Sequence, residues 1–135
     1  MAASPAQVWT ALVEPARWWN SEHTWSGNAA NLSLQPVAGG CFCEKLPPGG
    51  SVQHLRVIYV QPAKLLRMSG ALGPLQGEAV SGTLTVTLEP ARRGTKIAFD
   101  YVVGGFMHMP IAQMAPAVDG MVGEQLSRLA ALFAR

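Results

Sequence analysis

Charge is scarce in this sequence: only 13% of its 135 residues are Asp, Glu, Lys or Arg, ten basic against eight acidic. They gather into no run of one sign, so the basic stripe that a nucleic-acid or acidic-membrane partner requires is missing. Long hydrophobic runs are missing too. No stretch reaches the roughly 18 consecutive apolar residues of a membrane span. Met1 to Gln7 show no basic segment leading into an apolar one, so no signal peptide is read there. Cysteine is confined to Cys41 and Cys43. Two positions apart on a strand, they point the same way and would close a strained loop, so reduced thiols in a cytoplasmic protein are expected. The sequence also lacks a Gly-x-Ser-x-Gly elbow, a P-loop, a dinucleotide fingerprint, zinc-type Cys/His spacing and a closely spaced carboxylate pair. Neither a cofactor nor a metal is therefore expected.

What is present is apolar: 49% of the residues are hydrophobic, which excludes disorder. The length suits one domain, residues 1–135, able to bury about two thirds of its unfolded surface. The 14 glycines and 10 prolines are too many for a helical bundle and suit strands joined by turns. Ser4-Pro5-Ala6-Gln7 combines a capping box with proline at the first helical position. Val8, Trp9, Leu12 and Val13 then follow at helical spacing, and Pro15 can begin a second short helix through Trp18-Trp19. Six strands are predicted, over residues 31–37, 41–46, 51–60, 64–72, 79–88 and 95–103, with Gly/Pro turn signals between them. In the fifth, Val80, Leu84, Val86 and Leu88 alternate with serine and threonine. In the sixth, Ile97, Phe99, Tyr101 and Val103 share one face. Strands in this order make an antiparallel meander with one wet face. Beyond Pro110 the period becomes helical, with Ile111, Met114, Val118, Met121/Val122, Leu129 and Leu132/Phe133 on one stripe. Pro116 marks a kink or a late start. Leu84, Val86, Ile97, Phe99, Val118 and Leu129 are the expected core.

Two short helices, a run of antiparallel strands and one long terminal helix resemble the helix-grip fold of the START-like, or SRPBCC, superfamily. Within it the chain is similar to the branch named after the activator of the ninety-kilodalton heat-shock protein's ATPase. The residues that carry the resemblance are Ala3 to Leu12, Trp18-Trp19, Gly39-Gly40 with Phe42, Val57 to Pro62, and Gly94-Thr95. The fold so implied is α+β, a curved antiparallel sheet of six or seven strands around the C-terminal helix. A seventh would precede the first helix, where this chain already begins its helix at Ser4. The resemblance also implies a cavity between sheet and helix that holds a small apolar molecule. Three functions follow: a carrier or sensor, an enzyme of the polyketide cyclase/aromatase kind, or a partner of a chaperone ATPase. Low charge and the lack of a second domain speak against the third. A homodimer is compatible with any of them.

Candidate site residues follow from this frame. Trp9 is read as core. Trp18, Trp19 and Trp25 either close the core or contact a ligand near the cavity mouth. Glu44 and His54 flank the turn Pro47–Gly50 and are expected as cross-strand neighbours, a carboxylate orienting an imidazole for general-base work. Yet Leu55, Val57 and Tyr59 make the other face of that strand more apolar. Alternation therefore points Glu44, His54 and Arg56 to solvent. Tyr101 is expected on the inward face as core or as a polar anchor, with Arg67 as a second anchor on an unassigned face. Phe106 and Met107-His108-Met109 are read as a pliant lip at the entrance rather than as a copper(I) site, since adjacent loop residues rarely converge on one ion. Met114, Ala117 and Met121 are expected to line the cavity from the helix. Gly120 and Gly123 either let the helix approach the sheet closely or leave room for a pocket.

Overall fold

The computed structural model describes residues 1–134. Helix α1 (Pro5–Leu12) starts as its sequence requires: the Gln7 amide N–H donates to Ser4 Oγ (3.3 Å) and the Ser4 N–H donates to Gln7 Oε1 (2.9 Å). It buries Val8, Ala11 and Leu12. The second short helix is a single 3₁₀ turn over Pro15–Arg17, and two more such turns occupy Ser21–His23 and Ala29–Asn31.

Among the described residues six strands form one antiparallel meander: β1 (Leu32–Leu34), β2 (Cys41–Leu46), β3 (Gly50–Gln61), β4 (Leu65–Ser69), β5 (Ala79–Ala91) and β6 (Gly94–Phe106). Helix α2 (Ile111–Ala131) then crosses the concave face, with Pro116 inside it rather than at its start. This is the helix-grip fold, with six strands. Where a seventh would run, Met1–Ala3 lie along the start of β6. The Met1 amine donates to the Thr95 carbonyl (2.8 Å), the Thr95 N–H to the Met1 carbonyl (2.9 Å), and Thr95 Oγ1 to the Ala3 carbonyl (2.7 Å). A side chain at Gly94 would collide with that Met1 carbonyl, and its φ of +154° is one that L residues rarely adopt.

The phase of β3 is where alternation fails. Phe42 pairs with Leu55 but Cys43 with Gln53, so His54 is an extra residue; Val57 pairs with Met68 but Tyr59 with Arg67, so Ile58 is another. Each bulge shifts the inward phase by one position. Val52 and His54 are buried before the first bulge, and Leu55 and Val57 after it. Arg56 and Tyr59 are exposed. His54 and Leu55 thus both face inward, which no strict period of two allows.

The core gathers under α1 and the middle strands, around Leu55, Val57, Leu66 and Val86, with Leu129 of α2 fully buried among them. Of the six residues expected there, Leu84, Val86 and Leu129 are buried, and Ile97 and Phe99 are half-buried at its edge. Val118 is not in the core, because the first half of α2 stands off the sheet and only Gln125 and Leu129 are fully enclosed. Gly120 and Gly123 do not permit a close approach: a Cβ built on either meets nothing within 4 Å. The cysteines differ from expectation as well. Cys41 and Cys43 flank inward-facing Phe42 on the outer face of β2, and with Cα atoms 5.4 Å apart their sulfurs are paired as a disulfide rather than held as free thiols.

Candidate functional site

Between the standing-off half of α2 and the concave face lies a cavity of about 480 Å³, within the range typical of small-molecule sites. Its floor is Leu32 of β1, Phe42 of β2 and His54 of β3. One wall is the segment after α1, through Trp19, His23 and Trp25, and another is the β4–β5 link at Leu72–Pro74. The roof comes from α2, where Met114, Ala117, Val118 and Met121 recur at three- and four-residue spacing and so share one face. A second cavity of about 300 Å³ lies on the other flank of the helix, over Phe99, Tyr101 and Val103. Met114 and Val118 border both spaces and form the partition between them.

Polar contacts hold the second half of the roof. Gln125, fully buried, accepts from the Asn20 N–H through Oε1 (2.8 Å), Asn20 Nδ2 donates to Glu124 Oε2 (2.9 Å), and Arg128 Nε donates to the Trp18 carbonyl (2.8 Å). His23 Nε2 lies 3.5 Å from the same Glu124 oxygen. The bond from Asn20, together with the charges of His23 and Arg128, holds the Glu124 carboxyl below the usual carboxylate range. These contacts bind the second half of α2 to the loop after α1 and leave the first half over open space.

The one polar residue of the floor, His54, is hydrogen-bonded to a carboxylate buried behind it. His54 Nε2 lies 2.8 Å from Glu44 Oε1, and the two side chains are 9% and 0% exposed. Glu44 also accepts from the Trp25 N–H on Oε1 (3.2 Å) and the Ser26 N–H on Oε2 (2.6 Å). Burial pushes its carboxyl upward, but the bonds from Ser26, Trp25 and His54 together outweigh burial and hold it below its ordinary value. A line of rings continues from the couple: His54 packs against Phe42 (centroids 5.4 Å), Phe42 edge-on against Trp19 (5.4 Å), and Trp19 against Trp18 (5.6 Å). The expectation that Glu44 and His54 face solvent is therefore corrected, and the physical reason is the bulge at His54.

The other candidates divide by position. Trp19, Trp25, Met114, Ala117 and Met121 border the larger cavity, with Trp25 half-exposed at its rim. Trp18 does not border it; its ring is buried behind Trp19, with Nε1 donating to the Ala11 carbonyl (3.0 Å). Tyr101 borders the smaller cavity, but its hydroxyl is already engaged. It donates to the Gly70 carbonyl (2.8 Å) and accepts from the Leu72 N–H (3.1 Å), and burial pushes its ionisation upward. The lip reading of the 106–109 loop is corrected too, since none of its residues borders either cavity. Phe106 is exposed, Met107 is buried, and His108 Nδ1 pairs with Glu78 Oε2 (2.8 Å). No group of side chains able to hold a metal occurs among the described residues. Arg67 lies on the outer face, Nε donating to Thr85 Oγ1 (3.0 Å), with its guanidinium 5.9 Å from the Tyr59 ring centre. Sequence reasoning missed Gln125 and the Trp25–Ser26 amides. Gln125 carried a signal: it is a polar residue four positions from both Met121 and Leu129, on the stripe itself. The amides carried none, because backbone donors have no residue type.

A family model described as Activator of Hsp90 ATPase homolog 1-like protein matches residues 2–134. Solved structures share the fold. A protein from Mesorhizobium loti is 22% identical with a TM-score of 0.62, covering 98% of this chain and 90% of that one. An uncharacterized protein from Rhizobium leguminosarum is 19% identical with a TM-score of 0.69, over 98% and 88%. One from Chromobacterium violaceum is 19% identical with a TM-score of 0.67, over 98% and 91%. No curated protein matches the chain.

Proposed function

Since the chain belongs to the family of Activator of Hsp90 ATPase homolog 1-like proteins, whose fold commonly holds hydrophobic ligands, we propose that it is a carrier or sensor of a small apolar molecule bound between sheet and helix. The observation that supports this reading is the larger cavity, walled mostly by aromatic and aliphatic side chains, with His23 and Thr24 in one wall and His54 in its floor. A ligand entering it leaves water over most of its surface, and each buried methylene contributes about 0.8 kcal/mol. No helix among the described residues is long and apolar enough to cross a membrane.

The test is titration with N-phenyl-1-naphthylamine, an apolar dye whose emission rises out of water. Ala117 borders the cavity and Gly120 does not, so Ala117→Leu is expected to weaken binding by about tenfold or more, whereas Gly120→Leu leaves it unchanged. No saturable binding at micromolar dye, or equal binding by both variants, would overturn the carrier reading. The inward Glu44–His54 couple favours a second reading, an enzyme of the cyclase kind with His54 as its base. Its mark would be turnover of a polyketone substrate that His54→Phe abolishes while dye binding persists.

A further inference from the structure

We infer that His54, through Nδ1, is the specificity-determining acceptor of this cavity, and that the ligand it selects is a flat ring compound carrying a weakly acidic hydroxyl, a phenol or an enol. This rests on the carrier reading and names the class of molecule that the cavity takes.

The chain of reasons begins at Glu44. Its carboxylate is ionised and can only accept hydrogen bonds, so the proton in the 2.8 Å contact belongs to His54 Nε2. Two backbone donors, Trp25 and Ser26, hold the carboxylate and prevent it from turning away. With Nε2 turned to Glu44, Nδ1 is the ring nitrogen left facing away from it, and in the neutral form of the imidazole it presents a lone pair. No group among the described residues hydrogen-bonds to that atom, yet none of their buried side-chain nitrogens or oxygens lacks a partner. Nδ1 therefore meets open space, and the space that His54 borders is the cavity. Glu44 itself does not border it, which leaves the histidine as the couple's contact with a ligand.

A lone pair fixed at the floor of an apolar cavity discriminates in one direction. A ligand hydroxyl donates to it; a ligand that brings only an ether or carbonyl oxygen sets lone pair against lone pair and leaves Nδ1 without a partner. Acidity strengthens the bond, because Glu44 stabilises any positive charge that develops on the ring. The rest of the selection is shape. Phe42 stands edge to face beside the imidazole, Trp19 stands edge to face against Phe42, and Trp25 stands at the rim, surfaces that suit the faces and edges of another flat ring.

The experiment compares 2-naphthol with its donor-blocked methyl ether, 2-methoxynaphthalene, by displacement of N-phenyl-1-naphthylamine at about pH 8, above the ordinary histidine range. The wild type is expected to prefer the naphthol by about tenfold. His54→Leu is expected to bring the ratio near one while the ether still binds. Histidine ¹⁵N spectra of the wild type supply a readout that needs no variant: the Nδ1 resonance of His54 moves on adding the naphthol and stays on adding the ether. Equal affinities with an unmoved Nδ1 resonance would overturn this inference and leave the apolar cavity standing. Displacement by neither compound would overturn both.

Discussion

Replacing Glu44 with Gln keeps the side chain's shape and removes its charge, which isolates what the buried carboxylate does for the fold. In the native protein two oxygens accept three hydrogen bonds, from Ser26 N–H (2.6 Å), His54 Nε2–H (2.8 Å) and Trp25 N–H (3.2 Å). An amide has one oxygen. Placed where Oε1 was, it keeps Trp25 and His54 as weaker, uncharged bonds and sets its NH₂ against the Ser26 N–H. Flipped, it keeps Ser26 and sets the NH₂ against both the Trp25 N–H and the His54 Nε2–H. Either way at least one donor loses its partner and the bonds that remain are weakened, so the expected loss is about 2–4 kcal/mol. Urea denaturation near neutral pH measures it. The pH dependence follows from the same count. A carboxyl held below its ordinary value stabilises the fold fully above the unfolded value of about 4.3, and that contribution disappears as pH falls through the lower folded value. Protonated Glu44, like Gln, offers one acceptor oxygen and one donor group. The stability curves of the two proteins are thus expected to converge on acidification and to separate again above about pH 5. A difference below about 0.5 kcal/mol at neutral pH, or a gap that persists unchanged in acid, would refute the reasoning.

Two further expectations concern the walls of the site. Leu129 is fully buried where α2 meets the core, so Leu129→Ala is expected to lower stability by about 2–5 kcal/mol, measured by thermal or urea unfolding. A loss below about 1 kcal/mol would mean that α2 is not anchored there. Tyr101→Phe removes the hydroxyl that bridges Gly70 and Leu72. Its expected cost is about 1–3 kcal/mol, with faster amide exchange at Leu72, whose N–H loses its acceptor; unchanged exchange there would show that the bridge does not hold the β4–β5 link.

Much of the architecture follows from patterns that a chain cannot hide. Capping at Ser4 and Gln7, the alternation of β5 and β6, and the change of period after Pro110 each arise from contacts between residues near in sequence. Local spacing therefore revealed α1, the meander and α2. The stripe of α2 likewise placed Met114 and Met121 on the face toward the sheet, and both border the larger cavity. Period alone does not say how far a helix stands from what it faces, so Val118 was expected in a packed core and instead borders two open spaces. The Glu44–His54 couple shows where local reading ends. Its two residues were visible as neighbours across a turn, but their direction depended on one extra residue in β3, and a bulge is a property of the pairing between strands. The amides of Trp25 and Ser26 reach Glu44 across 19 and 18 positions, through a loop whose course is set by Asn20 and Gln125, 105 residues apart. Sequence by itself determined the elements and the apolar face of α2. Only the tertiary structure decided that the face is partly unfilled and that a buried imidazole looks into the gap, because both depend on distances between elements that no single element encodes.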